Sequence, residues 1–232
     1  MDYCTLGKVY YSEFSLIRRR GVPKWGMFHR KDANGGGALC DLGVHLIDAA
    51  LWVMGSPKFT AISGMASAEI AHNETNILTS LAESGAPAGV FNARKYSPEE
   101  FEVEEFAAGS IRLDNGCCLN FKTSWAVNLP NEYAMSFAGS KAGLLLPKVE
   151  LLSTMGHYQA DIQPRLFPQE RRFAKEAFPG HFFLFENAVD HILYGTPLMV
   201  KPEETLNVAA IIDAFYISAA ENREVRAEEI LK

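Results

Sequence analysis

The stretch GGGALCDLGVHLIDAALWVMG, Gly35 to Gly55, constrains this chain more than any other. Ala38, Leu39, Cys40, Leu42, Val44, Leu46, Ile47, Ala49, Ala50, Leu51, Trp52, Val53 and Met54 are apolar nearly all round a helical wheel, which predicts a buried helix. Gly55 ends it and Pro57 prevents its resumption. Three ionisable residues interrupt the run: Asp41, His45 and Asp48, at offsets i, i+4 and i+7. That spacing places all three on one narrow stripe. Ionisable groups on a buried helix are costly unless they are paired or functional. Gly35, Gly36 and Gly37 supply permissive backbone just before the helix, so that another group can approach closely. Asp41 falls in the first turns, where a negative charge suits the helix dipole.

Histidine suits general acid/base work because its ordinary pKa, ~6.5, lies near working pH. A carboxylate one turn away can orient the ring or hold a substrate hydroxyl. Two other readings stand beside this one. One is a core histidine satisfied by Asp41. The other is a metal chelate, for which Asp and His at i, i+4 are a start; no further His or Cys in the helix completes it, nothing in the pattern ties His157 or His181 to it, and no metal is assigned. Asp48, one turn further on, reads either as a structural hydrogen bond or as a substrate contact.

The segment GGGALCDLGVHLID resembles the substrate-domain signature of the glucose-fructose oxidoreductase / inositol dehydrogenase / MocA family. HFFLFENAVDHILYGTPLMVKPEETLNVAAIIDAFYISAAENREV resembles that family's closing segment, and GSIRLDNGCCLNFKTSW and FAGSKAGL resemble its mid-sheet strands. The resemblance implies an NAD(P)-dependent oxidoreductase acting on a sugar, polyol or cyclitol hydroxyl. It matches Asp41 and His45 to the family's Asp-x-x-x-His catalytic pair. It also implies that NAD or NADP is held mainly by a separate nucleotide-binding domain, and that the open sheet face builds a homo-oligomer.

That nucleotide domain has no counterpart here. A Gly-x-Gly-x-x-Gly fingerprint must follow a strand and open a helix within a βαβ unit. The glycines at 35–37 follow a loop and lack the third spaced glycine, and the family's Glu-Lys-Pro does not occur. Residues 1–232 are therefore expected to form a single substrate-binding and oligomerisation domain without its cofactor domain, inactive alone. A non-catalytic sugar-binding or oligomerisation module is the alternative.

The order of elements predicts α+β, a largely antiparallel open sheet with helices on one face and no Rossmann domain. Strands are expected at Lys8–Ile17, Lys58–Ser67, Phe106–Leu113, Cys117–Val127, Glu132–Ala138, Leu144–Leu146, Lys148–Leu152 and His157–Ile162. Asp114-Asn115-Gly116 is the strongest hairpin signal. Helices are expected at Phe182–Leu193 and Lys201–Ala220, the second opening on Pro202, Glu203 and Glu204. Arg18–Asn34 reads as a loop feeding the key helix. Its Trp25, Met27 and Phe28 either pack on the domain or wall the substrate pocket, and His29 is placed to line the same pocket. Glu69–Glu104 reads as loops with a short helix.

A net charge of -6 argues against nucleic acid or an anionic membrane as partner. No continuous apolar run reaches the ~18 residues of a membrane span. Four cysteines without a Cys-x-x-Cys pair, and an N-terminus without an apolar signal region, point to reduced thiols and the cytoplasm.

Overall fold

A computed structural model describes residues 5–74, 77, 79–87, 89, 90, 92, 95, 97–165 and 179–231. Nine strands form one sheet: β1 (Val9–Ile17), β2 (Phe59–Ser67), β3 (Phe106–Leu113), β4 (Cys118–Ser124), β5 (Glu132–Gly139), β6 (Gly143–Leu146), β7 (Glu150–Met155), β8 (Tyr158–Ile162) and β9 (Val225–Arg226). Their spatial order is β8-β7-β6-β5-β1-β4-β3-β2-β9. The predicted hairpin is present. Asn115 Oδ1 accepts from Cys117 N at 2.9 Å, and Arg112 faces Cys118 across antiparallel β3 and β4.

One pairing departs from the antiparallel expectation. β1 lies parallel to β4, Phe14 opposite Phe121, while its other edge runs antiparallel to β5. Parallel neighbours need a long crossover, and here 100 residues of helix, loop and hairpin supply it (17 to 118). The sheet is mixed and open.

The helices are α1 (Lys31–Asn34), α2 (Val44–Val53), α3 (Pro179–Tyr194), α4 (Pro202–Glu221) and α5 (Ala227–Ile230). A single π turn, Leu39–Gly43, leads into α2, and Pro98–Glu100 forms a short 3₁₀ turn. The main core lies between one sheet face and α2 with α4. Phe14, Ile62, Ile111, Leu119, Phe121 and Phe137 come from the strands, and Ile47, Leu51, Ile211 and Phe215 from the helices. Each is 4% exposed or less, and burying a side chain of this size contributes about 1.5–3 kcal/mol. Alternation along β4 sends Leu119, Phe121 and Thr123 inward and leaves Cys118, Asn120 and Lys122 on the open face.

Polar side chains fix how α4 sits on β2. Asn207 Oδ1 accepts from Phe59 N at 3.2 Å and its amide donates to Pro57 O at 3.0 Å. Ser218 Oγ accepts from Gly64 N at 3.0 Å. The first turn of α4 is closed by Glu204, whose carboxylate accepts from Lys201 N at 3.1 Å.

A second, smaller core lies beneath the loops. Val22, Ala38, Leu42, Ala71, Ile77, Phe101, Val103, Trp125 and Ala126 gather there, at the end of β4 where the key helix begins.

The key helix is not buried all round. His45 and Asp48 are exposed and Trp52 is 57% exposed, while Leu46, Ile47, Ala50 and Leu51 face the core. The span Lys31–Val53 has the length and mean hydropathy of a membrane-crossing helix, 1.3 over its best window. Because 61% of that window is buried inside the domain, it reads as a core helix. On α3, Phe185, Ile192, Leu193 and Tyr194 are more than 60% exposed, so its apolar side is uncovered by the described residues.

Candidate active site

The site is built where the glycine stretch meets the second core. α1 ends at Gly35, and the chain then runs close under Glu104 and Tyr216. A Cβ on Gly37 would lie 1.8 Å from the Glu104 carbonyl oxygen, and one on Gly36 2.0 Å from the Tyr216 hydroxyl. No larger residue fits either place without moving backbone or an aromatic ring. The close approach expected of these glycines is therefore real, and its partners are groups of the protein itself.

Glu104 uses that approach. It is 7% exposed. Its Oε2 accepts from Gly37 N and its Oε1 from Leu39 N, both at 2.9 Å, and Tyr216 OH donates to Oε1 at 3.0 Å. Ala38 N donates to the Glu104 carbonyl at 3.0 Å. Glu104 thus satisfies donors that a helix start leaves unpaired. Burial pushes its carboxyl up from the ordinary value, opposed by these hydrogen bonds. Burial and the Glu104 charge push the Tyr216 hydroxyl far up, and burial raises the Cys40 thiol. Both remain protonated at neutral pH, and Tyr216 OH also reaches Cys40 Sγ as donor at 3.4 Å.

The arrangement also answers whether the glycines hold a dinucleotide. A pyrophosphate at a helix start needs free N–H groups. Here Gly37 N–H and Leu39 N–H are already taken by a carboxylate, and repulsion from Glu104 opposes a second anion. These residues do not fit a cofactor phosphate.

Asp41 lies at the centre of the π turn, which Val44 N closes by donating to Leu39 O. Such wide turns recur at functional sites. The Asp41 carboxylate points to the end of β4, where Trp125 Nε1 donates to Oδ2 at 2.8 Å. The Arg18 guanidinium, lowered by burial, is drawn to the Asp41 charge. His45 follows one turn later and is exposed. Asp48 lies close enough for His45 to stabilise its charge, while partial burial and the Glu204 charge raise its carboxyl.

The structure therefore brings together Asp41 with Trp125 and Arg18, and His45 with Asp48. Among the described residues no hydrogen bond or ion pair joins Asp41 to His45. His45 is not a core histidine: it is exposed, and the face it shares with Asp48 and Trp52 looks outward. No group of three or more His, Cys, Asp or Glu among the described residues is placed to hold a metal ion.

The loop residues separate. His29 is 3% exposed, stacked on Phe101 at 6.4 Å, with Nε2 3.5 Å from Glu100 Oε2. The expectation that it lines a pocket is corrected: it is packed under the second core, because Phe101 and the 3₁₀ turn fold over it. Trp25 packs edge-on against Phe28 at 4.6 Å, and its indole N–H reaches Ser84 O at 3.4 Å. It is half-buried on its own loop.

Three members of the site escaped the sequence: Trp125, Arg18 and Glu104. Trp125 falls inside an expected strand, Arg18 at the start of the loop feeding the key helix, and Glu104 at the end of the stretch read as loops with a short helix. The one local signal was Glu104-Glu105, two acids set between apolar Val103 and Phe106 just before a strand. Both are buried, and Glu105 accepts from Ile70 N and Ala71 N at 2.5 and 2.6 Å.

Comparison with known proteins places this arrangement. The model of an oxidoreductase family's C-terminal alpha/beta domain matches residues 5–227. D-glucoside 3-dehydrogenase of Escherichia coli (strain K12) is 30% identical over 217 residues, which are 92% of this chain and 55% of that protein. This chain thus spans about half the length of that relative. Among solved structures, levoglucosan dehydrogenase in complex with NADH and levoglucosan superposes with TM-score 0.69 at 18% identity, over 97% of this chain and 61% of that one. Aldose-aldose oxidoreductase from Caulobacter crescentus, complexed with glycerol, does so with TM-score 0.66 at 20% identity, over 96% and 56%. At these identities the structural likeness speaks for the fold.

Proposed function

The chain belongs to the Gfo/Idh/MocA oxidoreductase family, as a C-terminal alpha/beta domain, and from that premise we propose that it is the substrate-binding and proton-transfer part of a sugar or polyol oxidoreductase. The observation that carries this reading is an exposed His45 one turn beyond a fixed carboxylate, Asp41, on the helix that bears the family signature. In this reading His45 takes the proton of the hydroxyl being oxidised and returns it in the reverse direction. Asp41, turned to Trp125, anchors a second substrate hydroxyl rather than orienting the ring. Asp48 supports the charge that His45 gains. The sugar class is supported by the E. coli relative, a D-glucoside 3-dehydrogenase, and by the structural neighbour that holds levoglucosan.

Hydride acceptance belongs to NAD or NADP, held mainly outside this chain, consistent with the filled helix start at Gly37. The test is turnover by an enzyme joining this chain to a dinucleotide-binding domain. His45→Ala should lower kcat by about 10²–10⁴-fold, the span of general acid/base catalysis, while the fold survives. Unchanged turnover removes the assignment.

We also propose that the sheet face opposite the helices pairs with a second copy, and that the protein works in the cytoplasm. A groove of about 600 Å³ crosses that face, lined by Glu13, Phe106, Ala108, Asn120, Lys122 and Leu145 among others. Met65 stands more than half exposed on that face. Free thiols at Cys40, Cys117 and Cys118 support a reducing compartment; Cys4 lies outside the described residues.

A further inference from the structure

We propose that Trp125 is a positioning residue for the sugar site: its indole N–H fixes one oxygen of Asp41 and so turns the other toward the substrate hydroxyl beside His45. This rests on the sugar-oxidoreductase reading above and adds to it a residue far from the signature helix.

The geometry argues for more than packing. Trp125 is fully buried, and its backbone is clamped on both sides: its N–H donates to Glu105 O at 2.8 Å and its carbonyl accepts from Gly21 N at 2.7 Å. The ring is held edge-on by Phe101 at 6.4 Å, which itself lies on His29. The indole N–H therefore has one direction open to it. A buried Trp needs an acceptor, and backbone carbonyls are the common supply. Here the acceptor is instead a partly exposed carboxylate, held at 2.8 Å on the turn just before His45. A hydrogen bond to one carboxylate oxygen fixes the plane of the group, because the two oxygens move together. The π turn gives Asp41 room to reach β4 while its backbone stays in the helix. His29, corrected above from a pocket residue, becomes part of the support behind the ring. A site works when its contacting group is locked by a layer of packed and hydrogen-bonded neighbours, and the chain His29, Phe101, Trp125, Asp41 is such a layer.

The test uses this chain with methyl β-D-glucopyranoside as probe. The sequence holds three tryptophans, so a ¹⁵N-labelled sample shows three indole N–H resonances, and Trp125→Phe identifies one. Asp41→Ala should shift that resonance and speed its solvent exchange about tenfold or more, leaving those of Trp25 and Trp52 in place. Glucoside Kd should rise about tenfold in Trp125→Phe. Because Phe is smaller and also alters packing, a second variant carries benzothienylalanine at position 125, a ring of the same shape with sulfur in place of N–H. It should weaken binding equally while keeping the thermal transition. Combining it with Asp41→Ala should add nothing to the loss from Asp41→Ala alone, since both cut one linkage.

An indole resonance unmoved by Asp41→Ala overturns the proposal and leaves the sugar reading intact. So does an unchanged Kd in the sulfur isostere, or additive losses in the double variant. If the wild-type chain binds no glucoside although the resonance moves, the sugar-binding reading of this chain fails first. The indole–carboxylate bond is then packing alone, which overturns the proposal with it.

Discussion

Replacing Glu104 by Ala removes the acceptor of three donors at once: Gly37 N, Leu39 N and Tyr216 OH. The two backbone groups belong to buried residues, and each buried donor left unpaired costs about 1–3 kcal/mol. Two of them set the loss at ~2–6 kcal/mol. Two terms shift that figure. A negative charge at a helix start contributes a further ~0.3–1 kcal/mol that is also lost. Against it, the variant no longer buries a carboxylate whose ionisation burial opposes, so part of the loss returns. The expected net effect is ~3 kcal/mol, near the top of what single substitutions cost. In a domain of this size each kcal/mol moves Tm by about 2–4 °C, so the transition should fall by about 6–12 °C. Urea unfolding followed by tryptophan fluorescence measures it, with an unchanged slope showing that the two-state comparison holds. Tyr216→Phe alone should cost ~1 kcal/mol, and much less when combined with Glu104→Ala, because its hydroxyl partner is already gone. A Glu104→Ala loss below ~1 kcal/mol would refute the reasoning, since it would mean that water satisfies both backbone donors.

The pH dependence of the same residue follows from its raised pKa: the folded state holds the proton of Glu104 above the unfolded value, so stability falls as pH rises from that value through the folded one. Glu104→Gln removes this contribution, and the stability difference between wild type and variant should shrink from acid to neutral pH; a difference growing with pH reverses the sign and the cause. His45→Ala, on an exposed face, should change stability by less than ~0.5 kcal/mol in a denaturant titration, whatever it does to turnover. Gly37→Ala should cost more than the ~1–3 kcal/mol of ordinary overpacking, because the obstacle at 1.8 Å is the Glu104 backbone; a fully stable variant would show the segment free to move away. Met65→Glu should reduce the mass of the assembly in sedimentation equilibrium if the open sheet face joins two copies, with the monomer's far-ultraviolet spectrum retained.

Much of the fold was legible in order along the chain. β3, its turn and β4 are local: β-prone alternation either side of Asp114-Asn115-Gly116 fixes both pairing and register. Pro202 with Glu203 and Glu204 marks the start of α4 because first-turn chemistry is also local. What failed depended on contact between distant segments. The parallel pairing of β1 with β4 leaves no trace in either strand's own pattern. The apolar count of the key helix predicted burial all round, yet burial is set by what covers each side, and the described residues leave His45, Asp48 and Trp52 uncovered.

The candidate site divides in the same way. The sequence by itself determined the family, the signature helix, and that Asp41 and His45 stand one turn apart on it, since residue types at short spacing carry all of that. Only the tertiary structure decided which groups surround them. Trp125 is 84 residues from Asp41, and Glu104 is 67 from Gly37. Neither separation has a period that a sequence pattern could display. Buried donors and acceptors must be matched, but the chain does not say with which partner. That choice is made when the end of β4 and the loop before β3 close over the helix start, and it decides that the glycines receive a glutamate instead of a phosphate and that Asp41 answers to an indole.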